Sequence, residues 1–312
     1  MLNFLYCLDE NYNIQALNSI TSLLNNSDEY INLFIIHKNK NSFNSFKNNI
    51  IKLNNLNELN LYQFDSDLSN IPNLSRSHVS EATYYRFFID EYLPNSLNNI
   101  IYLDSDIVCL NNPNDILNFE ISEMEKDRYT IAAKTEGTRE NSKELFDFLE
   151  LKNNNHFNAG VMIINLQKWK KENTKNKLID ILEKRKNKIK FWDQDILNIY
   201  FDDNYHKLNE FLNYNHSVFN KNILDKEKLK KVYFLHYSGK NKPWDIESII
   251  EENSKYYQDA YRNLNLENYH IVFNKKFKTI FKFLKILISG KFLSLQYPIS
   301  YLKLSFGSLF KK

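Results

Sequence analysis

Along the first hundred residues, short apolar runs alternate with longer stretches whose apolar positions recur every three or four residues. Asn3–Leu8 and Ile31–His37 read as buried strands, and the span near Leu59–Gln63 reads as a third. Between them, Tyr12–Leu24 and Ser42–Leu53 carry the helical period. This β-α-β-α-β order predicts strands laid side by side with crossover helices. A helix across Glu81–Tyr92, stopped by Pro94, leads into an apolar strand, Asn99–Leu103, which delivers Asp104 and Asp106 at its C-terminal end. Open α/β sheets bind ligands at such ends.

Further strands are expected near Thr130–Ala133, Val161–Asn165 and Val232–His236, and helices around Asn176–Lys186, Asp193–Phe201 and Glu247–Arg262. No internal repeat is visible. The composition changes at about Leu264–Tyr269, after which the chain is lysine-rich and free of acid. The reading therefore divides the chain into a body, residues 1–265, and a basic tail, residues 266–312.

A chain of 312 residues with 43% hydrophobic and 15% aromatic content can bury one large core, which makes a compact enzyme the default class. Asparagine is abundant throughout and carries no functional weight by itself. Cys7 and Cys109 sit in apolar runs without metal-ligand spacing, so neither a disulfide framework nor a zinc site is expected, and a reducing compartment fits. Met1–Leu8 lacks a basic flank and runs into Asp9 and Glu10, so it reads as neither signal peptide nor membrane span, and the body is expected in the cytosol. The net charge is +3, yet nine lysines and no acidic residue follow Glu267, so the body itself must be acidic. That distribution argues against nucleic-acid binding, which needs positive charge on the folded surface, and points to an anionic membrane.

Asp104-Ser105-Asp106 places two carboxylates two residues apart after a strand. In extended backbone these project to one face, where like charges repel unless a cation lies between them, so the pair suggests an oxygen-ligand site for Mn²⁺ or Mg²⁺. A solvated turn is the plain alternative. His236-Tyr237-Ser238-Gly239-Lys240-Asn241-Lys242-Pro243-Trp244 follows another apolar strand with an imidazole, a glycine that lets backbone approach a phosphate, and a lysine to neutralise it. Phe157-Asn158-Ala159-Gly160 alone reads as a turn before a strand, and Trp192-Asp193-Gln194-Asp195 alone as a helix cap.

Taken in order, Leu8-Asp9-Glu10-Asn11-Tyr12, Tyr84-Tyr85-Arg86, Tyr102-Leu103-Asp104-Ser105-Asp106, Phe157-Asn158-Ala159-Gly160, Asp193-Gln194-Asp195 and His236-x-x-Gly239-x-x-Lys242-Pro243-Trp244 resemble glycosyltransferase family 8, and within it the bacterial lipopolysaccharide galactosyl- and glucosyltransferases. The resemblance spans about residues 3 to 245. It implies a GT-A fold, a Rossmann-like mixed sheet flanked by helices, and retaining transfer of a hexose from a UDP-sugar to a glycan or lipid-linked acceptor. Carried over by position, Asp104, Asp106 and His236 would ligate Mn²⁺. Cys7, Asp9, Asn11 and Tyr12 would form the base and ribose pocket, with Ser105 and His78 adding contacts to the nucleotide. Arg86, Asn158 and Ala159 would face the donor sugar, and Gly239 and Lys242 the diphosphate. Gln194 would lie beneath the anomeric carbon and Asp193 would orient sugar hydroxyls, with Lys242 supporting the leaving group. Glu136 stands where many relatives carry Asp, on the sugar or acceptor side.

Two other classes compete. Tyr102–Val108 also fits the nucleophile motif of haloacid-dehalogenase-like phosphatases, and a nucleotide-sugar-binding protein without turnover would keep the same pocket. In the tail, Phe277, Phe281, Leu284 and Ile288 recur at helical spacing between Lys275 and Lys291, with Lys278, Lys282 and Lys285 elsewhere around the helix. This predicts a basic amphipathic helix that associates peripherally with the inner face of the cell membrane.

Overall fold

The computed structural model describes residues 1–68, 80–186, 188–218, 226–273 and 277–310. The continuous apolar runs become strands buried on both faces, as a parallel arrangement requires. Strands β1 (Leu2–Leu8), β2 (Ile31–His37), β3 (Leu56–Gln63), β4 (Asn99–Leu103), β5 (Ile107–Cys109), β6 (Ile131–Thr138), β7 (Asn155–Asn165), β8 (His206–Lys207), β9 (Tyr214–Asn215) and β10 (Phe234–His236) form two sheets. The larger has the order β3-β2-β1-β4-β7-β6-β8, and the smaller β5-β10-β9. β1 pairs in parallel with β2 and β4, while β7 runs antiparallel to β4 and β6, so the large sheet is mixed. The crossover helix Asn13–Asn26 covers β1 with Ala16, Leu17, Ile20, Leu23 and Leu24, all buried. The other face of the sheet packs Tyr84, Phe87, Trp169, Ile196 and Leu197.

Local structure departs from the sequence reading in several places. Glu81–Phe88 is a 3₁₀ segment that turns α-helical only at Ile89–Tyr92. β7 begins at Asn155, so Asn158, Ala159 and Gly160 lie within a strand rather than in a turn ahead of it; Asn158 pairs with Lys134 of β6, while Ala159 and Gly160 lie where the register between the two strands shifts. The helix expected over Glu247–Arg262 is confined to Lys255–Arg262, preceded by turns and a short 3₁₀ segment. Asp104-Ser105-Asp106 is a turn linking β4 of the large sheet to β5 of the small one, not extended strand. The two carboxylates converge at this turn, where the chain passes from one sheet to the other. β10 then pairs antiparallel with β5, with His236 opposite Ile107.

The tail forms two helices, Phe277–Ser289 and Pro298–Phe310, of which only the first follows from the sequence pattern. It is packed on the body. Phe283, Ile286 and Tyr301 are buried with Ile246, Ile249, Tyr269 and Phe273, and Tyr301 donates to the Ile246 carbonyl at 3.0 Å. The stripe Phe277, Phe281, Leu284 and Ile288 faces outward, with Phe277 86% and Ile288 87% exposed. The first tail helix is thus apolar on two sides, one spent on the body and one left open. Among the described residues no helix is long and apolar enough to cross a membrane.

Candidate active site

A cavity of about 980 Å³ opens at the C-terminal ends of β1 and β4, at the join between the two sheets. Its walls bring together Cys7, Asp9, Tyr12, Arg86, Asp104, Ser105, Asp106, Glu136, Asn158, Ala159, Asp193, Gln194, His236, Gly239 and Lys242, which the sequence spreads from position 7 to position 242. Asn11 is not among the lining residues. Its backbone N–H and its amide donate instead to the Asp9 carboxylate, at 2.9 and 3.4 Å, and so fix that side chain at the start of a 3₁₀ turn. His78 lies outside the described residues.

The cavity wall holds a grouping of ligand-capable atoms. One atom from each of Asp104, Asp106 and His236 lies within 4.8 Å of the others. His236 Nε2 is 3.2 Å from Asp106 Oδ1 and 3.8 Å from Asp104 Oδ2. Asp106 is nearly buried, and its Oδ1 has no hydrogen-bond donor. Two carboxylates and an imidazole with an orphaned buried oxygen form a hard, mixed O/N donor set, which suits Mn²⁺ or Mg²⁺. The residues present therefore fit a divalent ion. Burial pushes the Asp106 carboxyl up, but Lys242 and His236 outweigh it and hold the group below the usual carboxylate range. Lys242 Nζ donates to the other oxygen of Asp106 and, at 2.8 Å, to the Tyr237 carbonyl.

Arg86 organises the adjoining wall. Its buried guanidinium meets Asp104 at 2.9 Å and Asp193 at 3.1 Å, donates to the Ala159 carbonyl at 2.6 Å and stacks 3.8 Å from the centre of the Tyr102 ring. Burial drives the Asp193 carboxyl up to about 6, against the pull of Arg86 and of the Thr83 hydroxyl that donates to it. Gln194 accepts from the Ala159 N–H at 3.1 Å and points its amide nitrogen at Glu136, 3.4 Å away. The helix Trp192–Phe201 that carries both residues is clamped to β7 by Asn198, which exchanges two hydrogen bonds with the Phe157 backbone.

The last motif is shaped by conformation and by packing. Gly239 has φ +86°, a left-handed backbone that only glycine adopts without strain. Trp244 stacks on His270 with ring centres 5.8 Å apart and meets Tyr12 edge-on at 6.4 Å, so it ties the pocket's entrance to the core. Gln258 holds the Pro243 carbonyl at 2.8 Å from behind.

Sequence reasoning did not single out Thr83, Tyr102, Asn213, which bonds His236, or Asn215, whose amide donates to Glu136, as site residues. Tyr102, whose hydroxyl donates to Asp104 at 2.7 Å, was readable from its place two residues before the acid pair. The two asparagines had no signal in a chain where asparagine is everywhere.

A seven-stranded mixed sheet with an acid turn after its central strand is the layout of GT-A transferases. The galactosyltransferase LgtC, solved in complex with donor and acceptor sugar analogs, superposes with a TM-score of 0.69 over 90% of this chain and 100% of its own, at 18% identity. A family model for glycosyl transferase family 8 matches residues 3–248. The chain belongs to that family and is a glycosyltransferase. A lipopolysaccharide 1,2-glucosyltransferase from Escherichia coli is 31% identical over 265 residues, covering 78% of this chain and 73% of its own length. A lipopolysaccharide 1,3-galactosyltransferase from Salmonella typhimurium is 30% identical over 193 residues, 59% of this chain and 55% of its own. Family membership decides against the phosphatase reading of Tyr102–Val108.

Proposed function

We propose that the protein is a retaining hexosyltransferase that takes glucose or galactose from a UDP-sugar, uses Mn²⁺, with Mg²⁺ as the alternative ion, and delivers the sugar to a bacterial glycan such as lipopolysaccharide. The observation that carries this is the convergence of Asp104, Asp106 and His236 with Lys242 beside the Asp9–Tyr12 end of one cavity. Asp9, Cys7 and Tyr12 take the uridine, with Ser105 near the ribose and diphosphate. Gly239 gives the diphosphate backbone access, and Lys242, now paired with Asp106, is placed to swing its charge onto the leaving group. When bound, the divalent ion supplies Lewis-acid stabilisation of that same charge.

Arg86, Asn158, Ala159, Asp193 and Glu136 take the sugar. In the step itself, the bond from the anomeric carbon to phosphate oxygen breaks, the acceptor oxygen bonds to that carbon, and the acceptor's proton passes to the departing phosphate. Gln194 Oε1 already accepts from Ala159, and Asp193 is held by Arg86 and Thr83, so neither stands free as a nucleophile. That favours front-face displacement over a covalent intermediate. The relatives named for lipopolysaccharide support the acceptor class.

In this reading residues 1–265 carry catalysis in the cytoplasm, and residues 266–312 hold the enzyme on the inner face of the membrane through the exposed stripe Phe277, Phe281, Leu284 and Ile288 with Lys285 beside it, whereas Lys282 is paired with Glu247 of the body. Incubating purified full-length protein with UDP-glucose, UDP-galactose and their N-acetyl forms tests the reading. Mn²⁺-dependent UDP release with one hexose preferred is expected, together with a thermal shift for that donor. Orthophosphate release would revive a phosphatase, and binding without turnover would leave a nucleotide-sugar-binding protein.

A further inference from the structure

The amide groups behind the acid cluster form a single directed chain. Glu136 is a carboxylate and only accepts, so the groups facing it must donate. Asn158 Nδ2 lies 3.2 Å from it, and this fixes Asn158 Oδ1 on the opposite side, where it accepts from the Gly160 N–H at 2.9 Å and from Asn213 Nδ2 at 2.9 Å. With its nitrogen committed there, Asn213 turns Oδ1 to His236 Nδ1 at 2.9 Å. His236 Nδ1 must therefore carry a proton, which leaves Nε2 as the ring atom that can ligate a cation beside Asp104 and Asp106. Nε2 and the Asp106 oxygen 3.2 Å away attract one another only through a shared positive charge, a proton in the metal-free protein or a divalent ion that takes its place. Asn213 itself is fully buried, and its carbonyl is pinned by Lys134 Nζ at 2.9 Å, two residues before Glu136 on β6.

We propose that Asn213 is a positioning residue that sets the tautomer of His236 for the metal and, through Asn158, locks the metal ligand in register with Glu136 on the sugar side. The inference rests on the metal reading above. Such outer partners of a ligating histidine fix its ring and tautomer, and losing them weakens metal binding about 10- to 100-fold. The relay adds a second consequence, because the same amide also orients the sugar-facing Asn158.

Asn213→Ala and Asn213→Asp separate the two halves. Alanine removes both contacts. Aspartate keeps an acceptor for His236 Nδ1 but cannot donate to Asn158. Titration of the full-length protein with Mn²⁺ alone, read by the signal of free Mn²⁺ in electron paramagnetic resonance, is expected to show affinity reduced about 10- to 100-fold for Asn213→Ala. Asn213→Asp is expected to bind Mn²⁺ at least as tightly as wild type while losing its preference for UDP-hexose over UDP. Imidazole ¹⁵N shifts of His236 should report the Nδ1–H tautomer in wild type and in Asn213→Asp. A folded Asn213→Ala with wild-type Mn²⁺ affinity would overturn the inference, as would a folded Asn213→Asp that loses the metal. Should Asn213→Ala fail to fold, the aspartate variant decides alone. If wild type itself binds no Mn²⁺, the metal reading falls and the inference with it.

Discussion

Gly160 and His236 are in direct contact across the two sheets: a side-chain carbon on residue 160 would lie 2.2 Å from Cε1 of His236 and 2.8 Å from its Nδ1. Its backbone φ is not positive, so the glycine is required for space; it lies in β7 where the register with β6 shifts. Neither the imidazole nor the Asn158 oxygen 3.0 Å from that carbon can retreat without breaking its hydrogen bonds. Gly160→Ala is therefore expected to fold, to displace His236, and to weaken Mn²⁺ binding at least tenfold, which is the lower end for disturbing a ligating histidine. Calorimetric titration with Mn²⁺ checks it, and wild-type affinity would show that the ring has room to move.

Asp104→Asn and Asp106→Asn keep side-chain volume and remove charge. Each is expected to reduce metal-dependent turnover by more than about 100-fold, the scale of losing one electrostatic contributor at a reacting centre. The stability effects should differ. Asp106→Asn leaves Lys242 without its carboxylate in a mostly buried site, whereas Asp104→Asn leaves Arg86 still paired with Asp193. Thermal unfolding of the metal-free proteins should therefore show the larger loss for Asp106→Asn. Full turnover in a chelator would remove both residues from the metal site.

Lys242→Ala tests whether the lysine acts on the leaving group or on the bound donor. Its charge matters most as the diphosphate gains charge, so kcat is expected to fall by more than about tenfold with a smaller change in KM. Steady-state kinetics with the preferred donor decides, and an effect confined to KM would make Lys242 a ground-state anchor.

Much of this site was legible because its residues sit at element ends, where the hydrophobic pattern breaks and chemistry-bearing side chains stand out. Asp104 and Asp106 follow β4, His236 ends β10, and Asp193 and Gln194 open a helix. The β-α-β order was equally plain, since β1 and β2 are almost wholly apolar. What the pattern does not encode is pairing. The turn at Ser105 from one sheet to the other, the entry of Asn158–Gly160 into β7 and the placing of Asn213 behind His236 all depend on which strands lie side by side. In the tail, periodicity picked the exposed stripe correctly as one face of a helix. It missed Phe283 and Ile286, because a helix apolar on two sides has no single polar face to mark its docking.

The junction behind Trp244 should make the fold acid-sensitive. Burial keeps His270 neutral and lowers its pKa to about 3, whereas in the unfolded chain it titrates near 6.5. The folded value is depressed, so protonation favours unfolding. The contribution is complete above about pH 6.5 and is lost as pH falls toward 3, at up to about 1.4 kcal/mol per pH unit. His37, His156 and His216 are lowered by burial in the same sense, so wild type alone does not isolate the residue. His270→Phe removes this one group, and its unfolding midpoint is expected to fall less steeply than wild type between pH 7 and 5. Parallel curves would assign the acid sensitivity elsewhere.

The tail's two faces allow membrane binding to be separated from folding, which truncation would not. Removing residues 270–312 would uncover Ile246, Ile249 and Tyr269, which now pack with Phe283, Ile286 and Tyr301, so a truncated chain should lose stability whether or not the tail meets a membrane. Replacing Phe277, Phe281, Leu284 and Ile288 with serine leaves that buried face intact, because all four are exposed. Each of these apolar side chains contributes roughly 1.5–3 kcal/mol when fully buried, so even partial insertion of four is a large term. Each lysine near an anionic surface adds about 1 kcal/mol. Intact protein is therefore expected to sediment with vesicles containing anionic lipid, less so as salt shortens the Debye length below about 10 Å at 0.1 M, with an apolar remainder that salt does not remove. The four-serine variant should stay in the supernatant while its unfolding temperature and its turnover of UDP-sugar on a soluble acceptor match wild type. Equal sedimentation of the two proteins would assign the exposed stripe to some other partner, and loss of soluble-acceptor turnover in the variant would instead join the tail to the catalytic body.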